Sequence, residues 1–247
     1  RFSMPIDIST MLPHDIDYID LMKHFETFPI FDNRNLQKNH LNKWKTVLKS
    51  ADSKIRKIFK NPKKLKDILD IVMTEESFQQ VTHFGKNTVI LNFTIAPLVK
   101  LAEQNKQNAI EIPLTYFEKS REFVTWTPIS QTDNRSLKVL PILLTHFYNA
   151  RTFGFLLIDG NHRVSQAIKN HDKTIEALIF DPRYMLNDNI FRSEFDKLFF
   201  IFQNELYYLS HCKKQHQMKD KELLSRSYLT NFEFNFLDVM PDLKIWI

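Results

Sequence analysis

A chain of 247 residues, 43% hydrophobic and 26% charged, is long and apolar enough to bury a sizeable core as one large domain or two small ones. Twenty-two phenylalanines against three glycines argue against a turn-dense all-β fold and for aromatic-rich helical packing. The net charge of +5 excludes a strongly acidic protein, and one cysteine, Cys212, excludes an intramolecular disulfide and fits a reducing cytoplasm. No run of about 18 apolar residues is present, so no transmembrane helix and no membrane partner are predicted. Arg1-Phe2-Ser3-Met4 carries no secretory leader, and the natural start is expected upstream.

In chain order, the first hundred residues read mainly as helices. Pro13 suits a helix start, Asp15 and Asp17 a first turn, and Ile16, Ile19, Met22 and Phe25 recur at threes. Leu36, Leu41, Trp44 and Leu48 form a second apolar stripe. Asp52 or Ser53 is placed as the cap of a third helix carrying Ile55, Ile58 and Phe59. Asn61-Pro62 reads as a cap and first residue of a fourth, with Leu65, Ile68, Leu69 and Val72 inward and Lys57, Lys60, Lys63 and Lys64 outward. The charge is concentrated here: Lys38 to Lys66 holds eleven Lys or Arg and one acid, Asp52, hence +10 against −5 for the remainder. Two readings stand, a solvated lysine-rich face or a surface for nucleic acid or an acidic protein.

From about Ala109 the texture changes. Ile110-Glu111-Ile112 alternates, and Phe123-Val124-Thr125-Trp126 is rich in β-formers. Gln131 to Ser136 is loop-like. Val139 to Leu144 is an apolar stretch in which Pro141 marks a strand start or edge. Phe155-Leu156-Leu157-Ile158 is a continuous apolar run, as for a strand buried on both faces. Asp159-Gly160-Asn161-His162-Arg163 follows, then Val164, Ala167 and Ile168 on one side of a helical pattern. Gly160 supplies the turn with φ > 0 between strand and helix. A helix opening there presents unpaired N–H groups to a phosphate or carboxylate, with His162 and Arg163 as further donors. Thr174 to Phe180 is a further strand, ended by Asp181-Pro182.

The last sixty residues trace one helical face through Ile190, Phe191, Phe195, Leu198, Phe199, Phe202, Leu206 and Leu209, with Asn187 or Asp188 as cap. Phe232 to Phe236 alternates like a half-buried strand. The predicted class is α+β, in three parts: a basic helical module over 1–106, a small mixed-sheet domain over 107–185, and an aromatic helix and strand over 186–247 packed on the core.

Together, Pro141-Ile142-Leu143-Leu144, Leu157 to Arg163, Ala167 and Ile175 to Ile179 resemble the ParB/sulfiredoxin superfamily, over about Leu137 to Pro182. The resemblance implies a turn that holds nucleotide phosphates, with Gly160, Asn161, His162 and Arg163 in the phosphate loop and ATP or CTP with magnesium as cofactors. Asp159 is then a magnesium ligand or catalytic base, or only a helix cap, and His162 an acid–base group, a phosphate donor or a structural histidine. Arg163 faces phosphate, or pairs internally with Asp159 or Glu176. Asn161 stands where sulfiredoxins carry their catalytic cysteine, so the form is closer to kinase-like and plasmid or phage members than to sulfinic-acid reductases. The implied activity is phosphoryl transfer or nucleotide hydrolysis. The alternatives are a non-catalytic nucleic-acid-binding plasmid or phage protein gripping phosphates through Lys57, Lys60, Lys63 and Lys64, or a protein-interaction factor using the same face. Asp133, Asn134 and Arg135 are a weaker candidate loop, and the His211, Cys212, His216 spacing reads as a helix end rather than a metal site.

Overall fold

The computed structural model describes residues 16–74, 77–118, 124–129, 140–148, 153–180, 182–186 and 190–233. They belong to two compact units, one drawn from residues up to Phe93 and again from Phe191, the other spanning Thr94–Ile190. Helices combined with mixed sheet make the class α+β.

The first unit begins with α1 (Tyr18–Glu26), capped by the Asp17 carboxylate, which accepts from the N–H groups of Ile19 and Asp20. That cap sets the helical phase. Tyr18, Leu21, Met22 and Phe25 are buried, whereas Ile19, expected inward, is 64% exposed. Pro13 and Asp15 lie outside the described residues. The second and third predicted helices are one, α2 (Arg34–Phe59), capped by Asn33. Asp52 does not interrupt it; buried at 4% exposure, it accepts from Arg56 Nε one turn on, at 3.1 Å. With Oδ2 paired to a side chain one turn on, the carboxylate is not spent on capping backbone N–H groups and does not stop the helix. α3 (Pro62–Thr74) starts where expected, with Asn61 Oδ1 accepting from Lys63 N and Lys64 N.

An antiparallel-looking texture missed in the helical reading follows: β1 (Ser77–Phe84) and β2 (Asn87–Thr94) pair as a two-stranded sheet, with Gly85 at φ +61° between them. β-formers on both sides of a Gly-Lys turn, with Val89, Leu91 and Phe93 alternating after it, are the sequence signal.

The second unit contains α4 (Ala96–Gln104), β3 (Ile110–Pro113), the single turn α5 (Thr115–Glu118), β4 (Val124–Thr125), β5 (Ile142–Tyr148), β6 (Phe153–Asp159), α6 (Asn161–Lys169), β7 (Thr174–Phe180) and α7 (Pro182–Leu186). The sheet order is β3-β7-β5-β6-β4, with β5 parallel to β7 and antiparallel to β6. Pro141 stands just before the central strand, where its missing N–H costs no ladder bond. Ile142, Leu144 and Leu157 form the core with Val164 and Ala167 from α6. The polar loop expected over 131–136, and Asp133, Asn134 and Arg135 with it, lies outside the described residues.

The chain then re-enters the first unit through an antiparallel bridge between Phe191 and Phe93. α8 (Glu194–His216) is capped by Ser193, whereas Asn187 and Asp188, the expected caps, lie outside the described residues. It is buried continuously from Phe199 to Ser210 and not along one face as its spacing implied. Phe202 meets Phe25 edge-on at 4.9 Å and Trp44 at 5.4 Å, so α8 packs with α1 and α2. α8 belongs with the N-terminal helices because its aromatic side chains fill their core, and the compact units divide at 93/94 and 190/191. α9 (Asp220–Ser225) and α10 (Tyr228–Asn231) follow. Phe232, expected to open a strand, caps α10 at φ +60°; residues 234–236 of that strand lie outside the described residues.

Two buried carboxyls hold this unit together. Glu205, fully buried on α8, accepts from four donors on α2 and the segment entering α10, among them His40 and Trp44. Asp196, 2% exposed, accepts from Asn92 N at 3.0 Å and from Ser193 Oγ at 2.5 Å, yet burial outweighs these bonds and pushes its pKa up to about 6 from 3.8. The folded state therefore holds a proton that the unfolded chain releases. Its contribution is complete below about pH 3.8 and is lost as pH rises through about 6. The shift corresponds to about 3 kcal/mol between those limits. Asp196→Asn is expected to flatten this part of the stability profile; denaturant unfolding at pH 4, 5, 6 and 7 measures it, and parallel profiles for both proteins would reject the assignment.

Candidate functional site

β6 delivers Asp159 to the edge of the second unit's core, and Gly160 turns the chain into α6 with φ +117° and ψ 12°. An L-residue rarely adopts that backbone. The turn is also pressed on β5: a Cβ on Gly160 would lie 2.5 Å from Ile142 Cγ2 and 2.9 Å from Ile142 Cβ. Two independent demands, conformation and space, thus select glycine here.

α6 has no side-chain cap at its amino end. Val164 N is the first to bond back, to Gly160 O at 2.9 Å, so the N–H groups of Asn161, His162 and Arg163 occupy the turn that no helix carbonyl reaches. His162 is exposed beside them. This end of the helix carries positive partial charge and a histidine, a combination suited to a phosphate or carboxylate.

Arg163 adopts the internal alternative. Its Nη1 donates to Leu140 O and, at 2.8 Å, to Pro141 O; its Nη2 donates to Asp159 Oδ2 at 2.9 Å. With 13% of its side chain exposed, it braces the start of β5 against α6. The spacing Asp159 to Arg163, i to i+4, carried that signal in the sequence. Asn161 is likewise engaged, its Oδ1 accepting from Thr127 N at 2.9 Å, and Ser165 Oγ accepts from Ile129 N at 3.0 Å. These two bonds lash the 126–129 segment across α6. No sequence signal marked them, because donor and acceptor stand 34 and 36 residues apart.

Below the turn, α6 and the starts of β5 and β7 enclose a shallow groove of about 350 Å³, lined by Arg163, Gln166, Asn170, Asp172, Thr174 and Glu176 among others. Glu176 is exposed there, unpaired with Arg163. Asp159 keeps one carboxylate oxygen outside the Arg163 pair. Among the described residues no cluster of three or more His, Cys, Asp or Glu is placed to hold a metal ion. Magnesium sites usually draw on one or two carboxylates together with substrate phosphates, and here Asp159 Oδ2 is taken up by the Arg163 guanidinium.

The other candidates lie in the first unit. Lys57, Lys60, Lys63 and Lys64 are exposed at the junction of α2 and α3. The His211 and His216 rings stand 5.9 Å apart, and burial with the neighbouring His216 lowers the His211 pKa. Cys212 is buried, and burial raises its thiol pKa, the opposite of an activated nucleophile.

Among the described residues no helix is long and apolar enough to cross a membrane. Against known proteins, the chain matches no family model, no curated protein and no solved structure.

Proposed function

We propose that the second unit binds nucleotide phosphates at the amino end of α6 and works as an ATP- or CTP-dependent phosphotransferase or hydrolase of the ParB/sulfiredoxin kind. The observation that carries this reading is the Gly160 turn, which opens a helix without a side-chain cap beside an exposed histidine. The backbone N–H groups of Asn161 to Arg163 hold phosphate oxygens, and His162 donates to the same group or moves a proton at the acceptor. Asp159 and Arg163 position the turn through their ion pair and the two carbonyl bonds to the start of β5. Magnesium enters this reading as the counter-ion of the nucleotide, with Asp159 Oδ2 committed to Arg163. Rate enhancement then rests on placement and charge neutralisation.

His162→Ala tests the reading with little structural cost, because the side chain is exposed. Loss of one charge-assisted hydrogen bond, about 1.5–3 kcal/mol, corresponds to roughly ten- to a hundredfold weaker binding. Titration with ATP and CTP analogues in magnesium buffer, paired with a phosphate-release assay, measures it. Unchanged affinity and turnover in His162→Ala, or no nucleotide binding by the wild type, rejects the site.

A further inference from the structure

The outer face of α2 has a charge pattern that a merely solvated helix does not need. Surface helices ordinarily interleave acids with lysines at i,i+4, gaining about 0.2–0.5 kcal/mol per pair. On α2 the sole acid is Asp52, and it is buried. The exposed positions are Arg34, Asn35, Lys38, Asn39, Asn42, Lys43, Thr46, Lys49, Ser50, Ser53, Lys54 and Lys57, all cationic or neutral hydrogen-bonding groups. These are the side-chain types that contact phosphate oxygens in nucleic-acid complexes.

The cations are also in register. Lys38, Lys45, Lys49, Arg56 and Lys60 follow one another at alternating steps of seven and four, so each eleven-residue interval closes about three helical turns and returns to the same side. Lys38, Lys49 and Lys60 are exposed along this row. Lys45 and Arg56 are partly engaged, with Asn42 Oδ1 at 2.7 Å and Asp52 Oδ2 at 3.1 Å, and are half-buried at the row's inner margin. The row is about 33 Å long at 1.5 Å per residue, close to one turn of a duplex at about 34–36 Å. Acids bound it at both ends: Asp220 accepts from the N–H groups of Asp32 and Asn33 just before α2, and Asp67 follows Lys66. On the flank, Glu194 pairs with Lys54.

A second feature sits at the carboxyl end of the row. Lys63 and Lys64 occupy the first turn of α3, which contains no acid. Cations at a helix amino end oppose the macrodipole by about 0.3–1 kcal/mol each. An external anion lying on this corner turns that penalty into attraction for the ligand.

We propose that the outer face of α2, continued by Lys63 and Lys64 of α3, docks along the phosphate backbone of a nucleic-acid duplex over about one turn without reading its bases. The inference is independent of the nucleotide site in the other unit.

The test measures binding of a labelled 20-base-pair duplex to the full chain between 50 and 200 mM salt. About five phosphate contacts give a slope of log affinity against log salt of about −4 to −5. Lys38→Glu, Lys49→Glu and Lys60→Glu combined should reduce the slope by about three and the affinity at least a hundredfold, while the corresponding arginine triple retains both. The control reverses Lys100, Lys173 and Lys221, exposed lysines elsewhere, and alters net charge equally. It should retain most of the affinity. Thermal melts verify folding, and a glutamine triple replaces the glutamate triple if that variant melts early. Equal losses in the control and the α2 triple, a wild-type slope shallower than about −2, or tenfold discrimination between duplex sequences overturns the proposal. Tighter binding to polyglutamate or to anionic vesicles than to duplex at equal charge overturns it as well, in favour of an acidic protein or a lipid surface. Running duplex DNA and duplex RNA in parallel separates the two sources of the phosphate backbone.

Discussion

Glu205→Ala is expected to lower the stability of the first unit by about 3–5 kcal/mol, the cost of removing the common acceptor of a buried hydrogen-bond network. Glu205 Oε1 accepts from His40 Nε2 at 2.8 Å, Trp44 Nε1 at 2.9 Å and Ser227 Oγ at 3.0 Å, and Oε2 accepts from Tyr228 N at 2.6 Å. Truncation strands these donors where water does not reach, since His40, Trp44 and Ser227 are themselves buried. A domain with a total of about 5–15 kcal/mol survives such a loss only narrowly. Glu205→Gln distinguishes shape from acceptor capacity. Its amide fills the same space but turns one oxygen into a donor facing the Trp44 or Tyr228 N–H, so it is expected to lose about half as much. Ser227→Ala removes one neutral donor to Glu205 and the α10 cap that accepts from Leu229 N, and should cost about 1–2 kcal/mol. Urea unfolding, followed by the fluorescence of Trp44, measures all three. A Glu205→Ala protein within 1 kcal/mol of wild type would show that the network is dispensable.

Gly160→Ala is expected to destabilise the second unit by about 2–6 kcal/mol, combining backbone strain of about 1–3 kcal/mol with overpacking of similar size. The strain comes from φ +117°, and the overpacking from the 2.5 Å approach to Ile142 Cγ2. Ile142 is fully buried in the central strand, so any shift that relieves the contact disturbs the core. The two contributions separate in a double-mutant cycle. Ile142→Ala alone should cost about 2–5 kcal/mol by leaving a cavity. Together, Gly160→Ala and Ile142→Ala should cost less than the sum, because the new methyl occupies the space vacated, leaving the strain as the residual. Amide exchange in β5 and α6 reports the local loss, and nucleotide affinity should fall with it as the turn is displaced. Strictly additive costs would mean that the clash is relieved elsewhere.

Local chemistry carried much of the second unit. The run Phe155 to Ile158, the glycine after Asp159 and the periodicity of Val164 and Ala167 predict β6, the turn and α6 because each demand is met within a few residues. The same holds for α3, whose start needs only the Asn61 side chain and the preset φ of Pro62. β7 emerges over Thr174–Phe180, the very span its β-formers outline.

What local chemistry left open was decided by partners distant in the chain. Arg163 reads first as a phosphate ligand, with an internal pair as the rival, and only the arrival of Leu140 and Pro141 carbonyls, more than twenty residues away, turns its fork inward. Asp52 resembles a cap until burial and Arg56 keep it inside an unbroken α2. α8 shows a one-sided stripe, yet its polar residues are buried too, because Glu205 and Asp196 meet donors contributed from α2, β2 and the segment before α10. Spacing along a chain encodes which side chains share an element. Whether a polar group is spent inside the protein or remains available to a ligand depends on donors and acceptors that only folding brings within hydrogen-bonding distance.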